Sequence, residues 1–140
     1  MNTIMSKQQE STKEIESLLT MYFDNMAAMN AKGWLEIFAE DAVIHDPVGT
    51  PPKLVHKDSE QFFKILSNLF KEIELSKDDI FFVKSGAAVK WTMQVVTKTD
   101  RHVTAEGISI FEMNGVGKIQ KVSSYWDDTA MMAKLKGYML

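Results

Sequence analysis

Two side chains in this sequence are placed to move protons, Asp46 and Tyr22. Asp46 follows a short apolar stretch that includes Val43 and Ile44, and it precedes Pro47, Val48 and Gly49. Its carboxylate has two readings. An Asp-Pro pair starts turns readily, and there the acid serves the backbone. Alternatively the apolar flanks put the carboxylate on a pocket wall, where partial desolvation raises its pKa toward the range of a general base. Tyr22 also reads two ways. It sits within an apolar stripe, the usual place of a core residue, yet a buried hydroxyl needs a partner and a ligand oxygen could supply one.

Other chemistries lack their residues. The chain has no cysteine, which removes disulfides, thiolate metal sites and a thiol nucleophile together. His45, His56 and His102 have no metal-ligand spacing, and the carboxylates near them are scattered, so no metal site is expected. No Gly-x-Ser-x-Gly elbow and no glycine-rich phosphate loop occur, and no cofactor is implied. The 16 basic and 19 acidic residues are interspersed and give a net charge of -3, so nucleic acid is not an expected partner. No apolar run reaches the roughly 20 residues of a membrane span, and residues 1–11 lack the apolar centre of a signal peptide. These features predict a cytoplasmic protein. Ten methionines, with Trp91, Phe111 and Trp126, supply either a core or the walls of a tolerant apolar pocket.

The elements that must position these groups follow from periodicity. Ile15, Leu18, Leu19, Tyr22, Phe23, Met26 and Met29 recur at three- and four-residue steps, one stripe of a long helix starting near Ser11 or Thr12. Residues 30–33 break it, and Trp34, Ile37 and Phe38 predict a short second helix. A brief strand covers 42–45, and a loop follows through Pro51-Pro52. Asp58 or Ser59 is the predicted cap of a third helix carrying Phe62, Phe63, Leu66, Leu69 and Phe70. The period then becomes two. Residues 80–83 predict a strand, Val89, Trp91, Met93 and Val95 mark the buried face of the next, and 102–113 and 119–126 complete the set. Asn114-Gly115 signals the last hairpin, and the tail from 127 is partly helical. Helices followed by antiparallel strands give an α+β fold, a single domain over residues 1–140 with three helices packed on a curved, mainly antiparallel sheet.

Longer segments carry a resemblance. Residues 22–26 (Tyr-Phe-Asp-Asn-Met), 37–42 (Ile-Phe-Ala-Glu-Asp-Ala) and 46–49 (Asp-Pro-Val-Gly) resemble the N-terminal half of the bacterial ketosteroid isomerase family, and residues 111–118 resemble the hairpin before its last strand. The Phe-Ala-Glu-Asp-Ala segment is general to nuclear-transport-factor-2-like domains, and residues 123–128 resemble the SnoaL-like branch. The resemblance implies a cone-shaped fold and a homodimer formed through the outer face of the sheet, where Thr92, Gln94 and Val96 lie. It further implies an enzyme moving a proton α to the carbonyl of an apolar cyclic ligand. Asp46 falls on that family's base and Tyr22 on its oxyanion donor. Ser109 takes the place of a second donor, an aspartic acid, and Phe63 the place of a supporting tyrosine. Met26, Phe63, Trp91, Phe111 and Trp126 are the candidate substrate contacts. Ser109 shares its strand parity with Val103, Ala105, Gly107 and Phe111, and the small residues at 105, 107 and 109 predict open space beside them. A cyclase or hydratase using Asp127 or Glu106, and a non-catalytic ligand-binding domain, are the alternatives.

Overall fold

A computed structural model describes residues 7–137. Most of the 1–11 segment read for targeting, and the last three residues of the tail, lie outside the described residues. The elements run α1 (Lys7–Ala27), α2 (Ala31–Leu35), β1 (Phe38–His45), β2 (Lys53–Leu54), α3 (Val55–Leu69), β3 (Phe70–Val83), β4 (Gly86–Thr97), β5 (His102–Met113), β6 (Ile119–Trp126) and α4 (Asp128–Leu135). The six strands form one sheet in the order β2-β1-β6-β5-β4-β3. All neighbours are antiparallel except β1 and β6, which run parallel. The α+β, nuclear-transport-factor-2-like cone expected from the sequence is the fold observed.

The stripe on α1 buries Ile15, Leu19, Tyr22 and Phe23 against the inner face of the sheet. Ile37, Ile119, Val89 and Val122 lie beneath them, nearly or fully excluded from solvent. Each such side chain contributes about 1.5–3 kcal/mol by leaving water. A second cluster gathers Phe70, Ile73, Val95, Val103 and Met131, and it ties α4 across the open end of the sheet. The alternation on β4 is as the sequence indicates: Val89 and Trp91 are buried, Lys90 is exposed, and the Thr92 hydroxyl donates outward to Asp78 at 2.6 Å.

Several boundaries differ from the sequence reading. The second helix ends at Leu35, and Phe38 already belongs to β1, which starts four residues earlier than expected. Asn30 caps the start of α2, its side chain accepting from the Gly33 N–H at 3.2 Å. Helix α3 begins at Val55, so Asp58 lies inside its first turn and reaches back to accept the Leu54 N–H at 2.9 Å. Phe70 opens β3, a strand of 14 residues of which 80–83 is only the end. Two register shifts in β3 break its alternation, which hides it as a pattern.

Candidate functional site

Asp46 stands one residue past β1 with the parity of buried Ile44, so its carboxylate turns toward the concave face. The Asp46-Pro47 peptide is cis, and the Val48 N–H bonds to the Ser124 carbonyl at 2.8 Å, which fixes the loop to β6. Trp126, at the end of β6, donates its indole N–H to Asp46 Oδ1 at 2.5 Å. Burial holds the Asp46 pKa above its ordinary value of 3.8, and nearby Asp128 adds to the rise. The Trp126 bond and Lys53 act in the opposite direction but do not cancel it.

Tyr22 lies across the same space. Burial raises its pKa, with a further push from the Asp46 charge, so the phenol stays a neutral O–H donor. Its ring packs edge-on against Phe111, with centroids 4.9 Å apart.

Both side chains line a cavity of about 290 Å³, at the low end of small-molecule sites, about 300–1,000 Å³. Met26, Trp91, Trp126 and Ser109 are on its wall, as are Leu66 and Met93, and Met131, Met132 and Leu135 of α4 contribute to it as well. Phe63 and Phe111 are not on the wall. Phe63 is buried behind Trp34 and Phe62, with centroids 5.1 and 5.3 Å away, and Phe111 lies under Tyr22. The two rings stand behind the wall, not on it as the sequence predicts, and pack against residues that form it. Asp127 and Glu106 also lie outside it. Asp127 caps α4 by accepting the Ala130 N–H, and Glu106 meets Lys90 on the outer face. Asp128, which the sequence did not single out, is on the wall.

Ser109 is not alone. The register of β5 against β6 places it opposite Ser124, and the two hydroxyls lie 2.6 Å apart, both buried. Trp91 donates its indole N–H to Ser109 Oγ at 2.8 Å. The indole can only donate, so the two serines hold two protons of their own. One is used between them and the other is left for an acceptor. Both serines are on the cavity wall. The open space expected beside Gly107 is occupied: a Cβ there would stand 2.6 Å from Trp91 Cζ2 and 2.7 Å from Trp126 Cβ. Gly107 makes room for the Trp91 indole and the Trp126 side chain rather than for a ligand.

The charged face of the sheet differs in detail from the expected dimer surface. Thr92 is engaged with Asp78, and Val96 is largely buried. The exposed apolar side chains of that face are Phe81, Val83, Ile108 and Tyr125. Among the described residues no cluster of metal-ligating side chains occurs, and no helix is long and apolar enough to cross a membrane.

A SnoaL-like domain family model matches residues 19–122. Two solved structures are similar over nearly their whole length. One is the epoxide hydrolase/cyclase-like enzyme SalBIII, described for pyran ring formation in the polyether salinomycin, with a TM-score of 0.74, 19% identity and coverage of 86% of this chain and 95% of that one. The other is an LEH-like epoxide hydrolase of M. tuberculosis, with a TM-score of 0.74, 15% identity and coverage of 91% and 92%. At these identities the likeness is one of fold.

Proposed function

We propose a function from one premise: this chain belongs to the SnoaL-like domain family. It is an enzyme that moves a proton α to the carbonyl of an apolar cyclic substrate, steroid-like or polyketide-like. The observation that carries the reading is the shared wall of one mostly apolar cavity, with a pKa-raised carboxylate, Asp46, and a neutral phenol, Tyr22. Asp46 takes the proton from carbon and returns it to another carbon, while Tyr22 donates to the oxygen on which negative charge develops. The spare proton of the Ser109–Ser124 pair is a second donor, strengthened by the Trp91 bond behind it. A neutral hydroxyl is a weaker partner for an oxyanion than a carboxylic acid would be. The predicted rate enhancement is correspondingly smaller than with two strong donors.

The test uses a ketosteroid whose double bond lies out of conjugation, and follows the absorbance of the conjugated product. Turnover that vanishes in Asp46→Asn and falls about 10²–10³-fold in Tyr22→Phe supports the assignment. No turnover by the folded wild-type protein refutes it. A second reading draws on the two solved relatives, both described as epoxide-hydrolase-like. In that reading Asp46 takes a proton from water or a substrate hydroxyl, while Tyr22 donates to the opening epoxide oxygen. An epoxy-alcohol probe, scored for diol or cyclic ether, separates the two. Inertness toward both probes leaves a ligand-binding domain.

A further inference from the structure

Beside the large cavity lies a smaller one of about 30 Å³. The two share Tyr22, Met26, Asp46, Lys53 and Phe62 as a common wall. The small cavity adds Trp34 from α2 and Ser59 from α3, neither of which reaches the large one. Trp34 is 2% exposed, and its indole Nε1 is the one buried side-chain polar atom that lacks a hydrogen-bond partner among the described residues. A buried donor left without an acceptor is costly and therefore rare in folded proteins. Ser59 is also buried, at 4% exposure, and brings a hydroxyl to the same wall. Aromatic rings hold the indole in place: Phe38 and Phe63 lie with centroids 4.4 and 5.1 Å away, so the N–H has little freedom to turn elsewhere.

A space of this size holds one water or one ligand atom with its substituent. We propose that it is a subsite that reads a neutral oxygen of the bound molecule, a hydroxyl, ether or keto oxygen, through the Trp34 N–H and the Ser59 hydroxyl. The inference rests on the large cavity being the ligand site and does not depend on which reaction occurs there. Neutral oxygen is favoured over an anion because Asp46 and Asp58 face the space against Lys53 alone, and the Asp58 carboxylate is already engaged with the Leu54 N–H. The subsite would choose among apolar molecules of like shape by the position of one oxygen, because an apolar substituent placed there leaves the indole N–H unmade.

Naphthalene and 2-naphthol, titrated into the full chain by calorimetry or fluorescence, test this without any turnover. The quantity read is the ratio of their Kd values. In the wild-type protein 2-naphthol is expected to bind more tightly. In Trp34→Phe, which removes the N–H and keeps an aromatic ring, that advantage should fall about three- to tenfold while naphthalene binding is unchanged. Ser59→Ala should reduce it in the same sense, and it carries the test if Trp34→Phe does not fold. An advantage that survives both substitutions but disappears in Tyr22→Phe would overturn the proposal, since the oxygen would then be read in the large cavity. Equal weakening of both probes by Trp34→Phe would also overturn it, marking the small cavity as the place of a structural water. Failure of naphthalene itself to bind would refute the large cavity as a ligand site, and the subsite with it.

Discussion

Trp126→Phe isolates one interaction on the proposed base. Four influences act on Asp46: burial and Asp128 favour the neutral acid, while the Trp126 N–H and Lys53 favour the carboxylate. The substitution removes the indole donor and keeps an aromatic ring near Trp91, whose centroid lies 6.0 Å from that of Trp126. A hydrogen bond to a charged group contributes about 1.5–3 kcal/mol, and each 1.36 kcal/mol corresponds to about a factor of ten in the ionised population. At acidic pH the variant should therefore hold about ten- to a hundredfold less carboxylate than the wild-type protein. Activity that needs the carboxylate should fall by the same factor there. It should converge toward the wild-type rate at alkaline pH, where both proteins are ionised. The carboxyl ¹³C resonance of Asp46, titrated in both proteins, reads the same change with no substrate. A titration midpoint that does not move toward alkaline pH would refute the role given to Trp126. A rate loss uniform across pH would reassign Trp126 to shaping the wall alone.

Asp46→Asn should abolish turnover and also change stability with a definite sign. The folded protein holds the Asp46 proton to a pH above the ordinary 3.8, so the stability linked to that proton is present at low pH and lost as pH rises through the raised value. The melting-temperature difference, Asn variant minus wild type, should grow between about pH 4 and neutrality, and a flat difference counts against a buried, destabilised carboxylate. Gly107→Ala should destabilise the fold by about 1–3 kcal/mol in urea denaturation, because its methyl group would meet the Trp91 indole at 2.6 Å and the Trp126 Cβ and Tyr125 carbonyl oxygen at 2.7 Å. We propose that the homodimer implied by the resemblance uses the apolar part of the outer face. The wild-type protein should then give a dimeric mass by light scattering and Phe81→Asp, at a side chain 70% exposed, a monomeric one, and a monomeric wild-type mass would refute this.

The parts of this structure that were legible in the sequence are those whose signal is local. The α1 stripe places Tyr22 inward, and the two-residue period of β4 places Val89 and Trp91 inward, in each case because burial repeats with the geometry of one element. Residue type and resemblance single out Asp46 and Tyr22, and both side chains line one cavity. Ser124 was missed for a register reason. Counting regularly outward from the Met113–Ile119 pair of the last hairpin sets Ser109 opposite Ser123, on the outer face. A shift between Glu112 and Met113 moves every later pair by one residue and brings Ser124 opposite Ser109 instead. In the sequence Trp34 is an apolar residue of a short helix. That its N–H lacks a partner depends on Phe38, Phe62 and Phe63 closing around it from other elements, which no local pattern encodes. The length of β3 was lost because Glu72, Lys77 and Asp79 interrupt its alternation at the two register shifts.

The two tryptophans of the cavity wall show how one backbone position can organise a site it never touches. Because residue 107 has no Cβ, Trp91 and Trp126 both approach the β5 backbone there. Each indole N–H then goes to a different proton-handling group: Trp91 to Ser109 at 2.8 Å, and Trp126 to Asp46 at 2.5 Å. The consequences are opposite in kind. Donation to a carboxylate favours its charged form, which makes Asp46 a weaker base but one populated at lower pH. Donation to a hydroxyl oxygen polarises its O–H, which makes the serine pair a better donor. The proposed base and the proposed donor are thus tuned by the same type of group from the same patch of sheet. Asp46 lies beyond the end of β1, outside the regular ladder, yet it is held to β6 twice, by the Trp126 indole and by the Val48 N–H on the Ser124 carbonyl. Ser124 therefore links the two halves of the proposed site: its hydroxyl meets that of Ser109, and its carbonyl anchors the loop that carries Asp46.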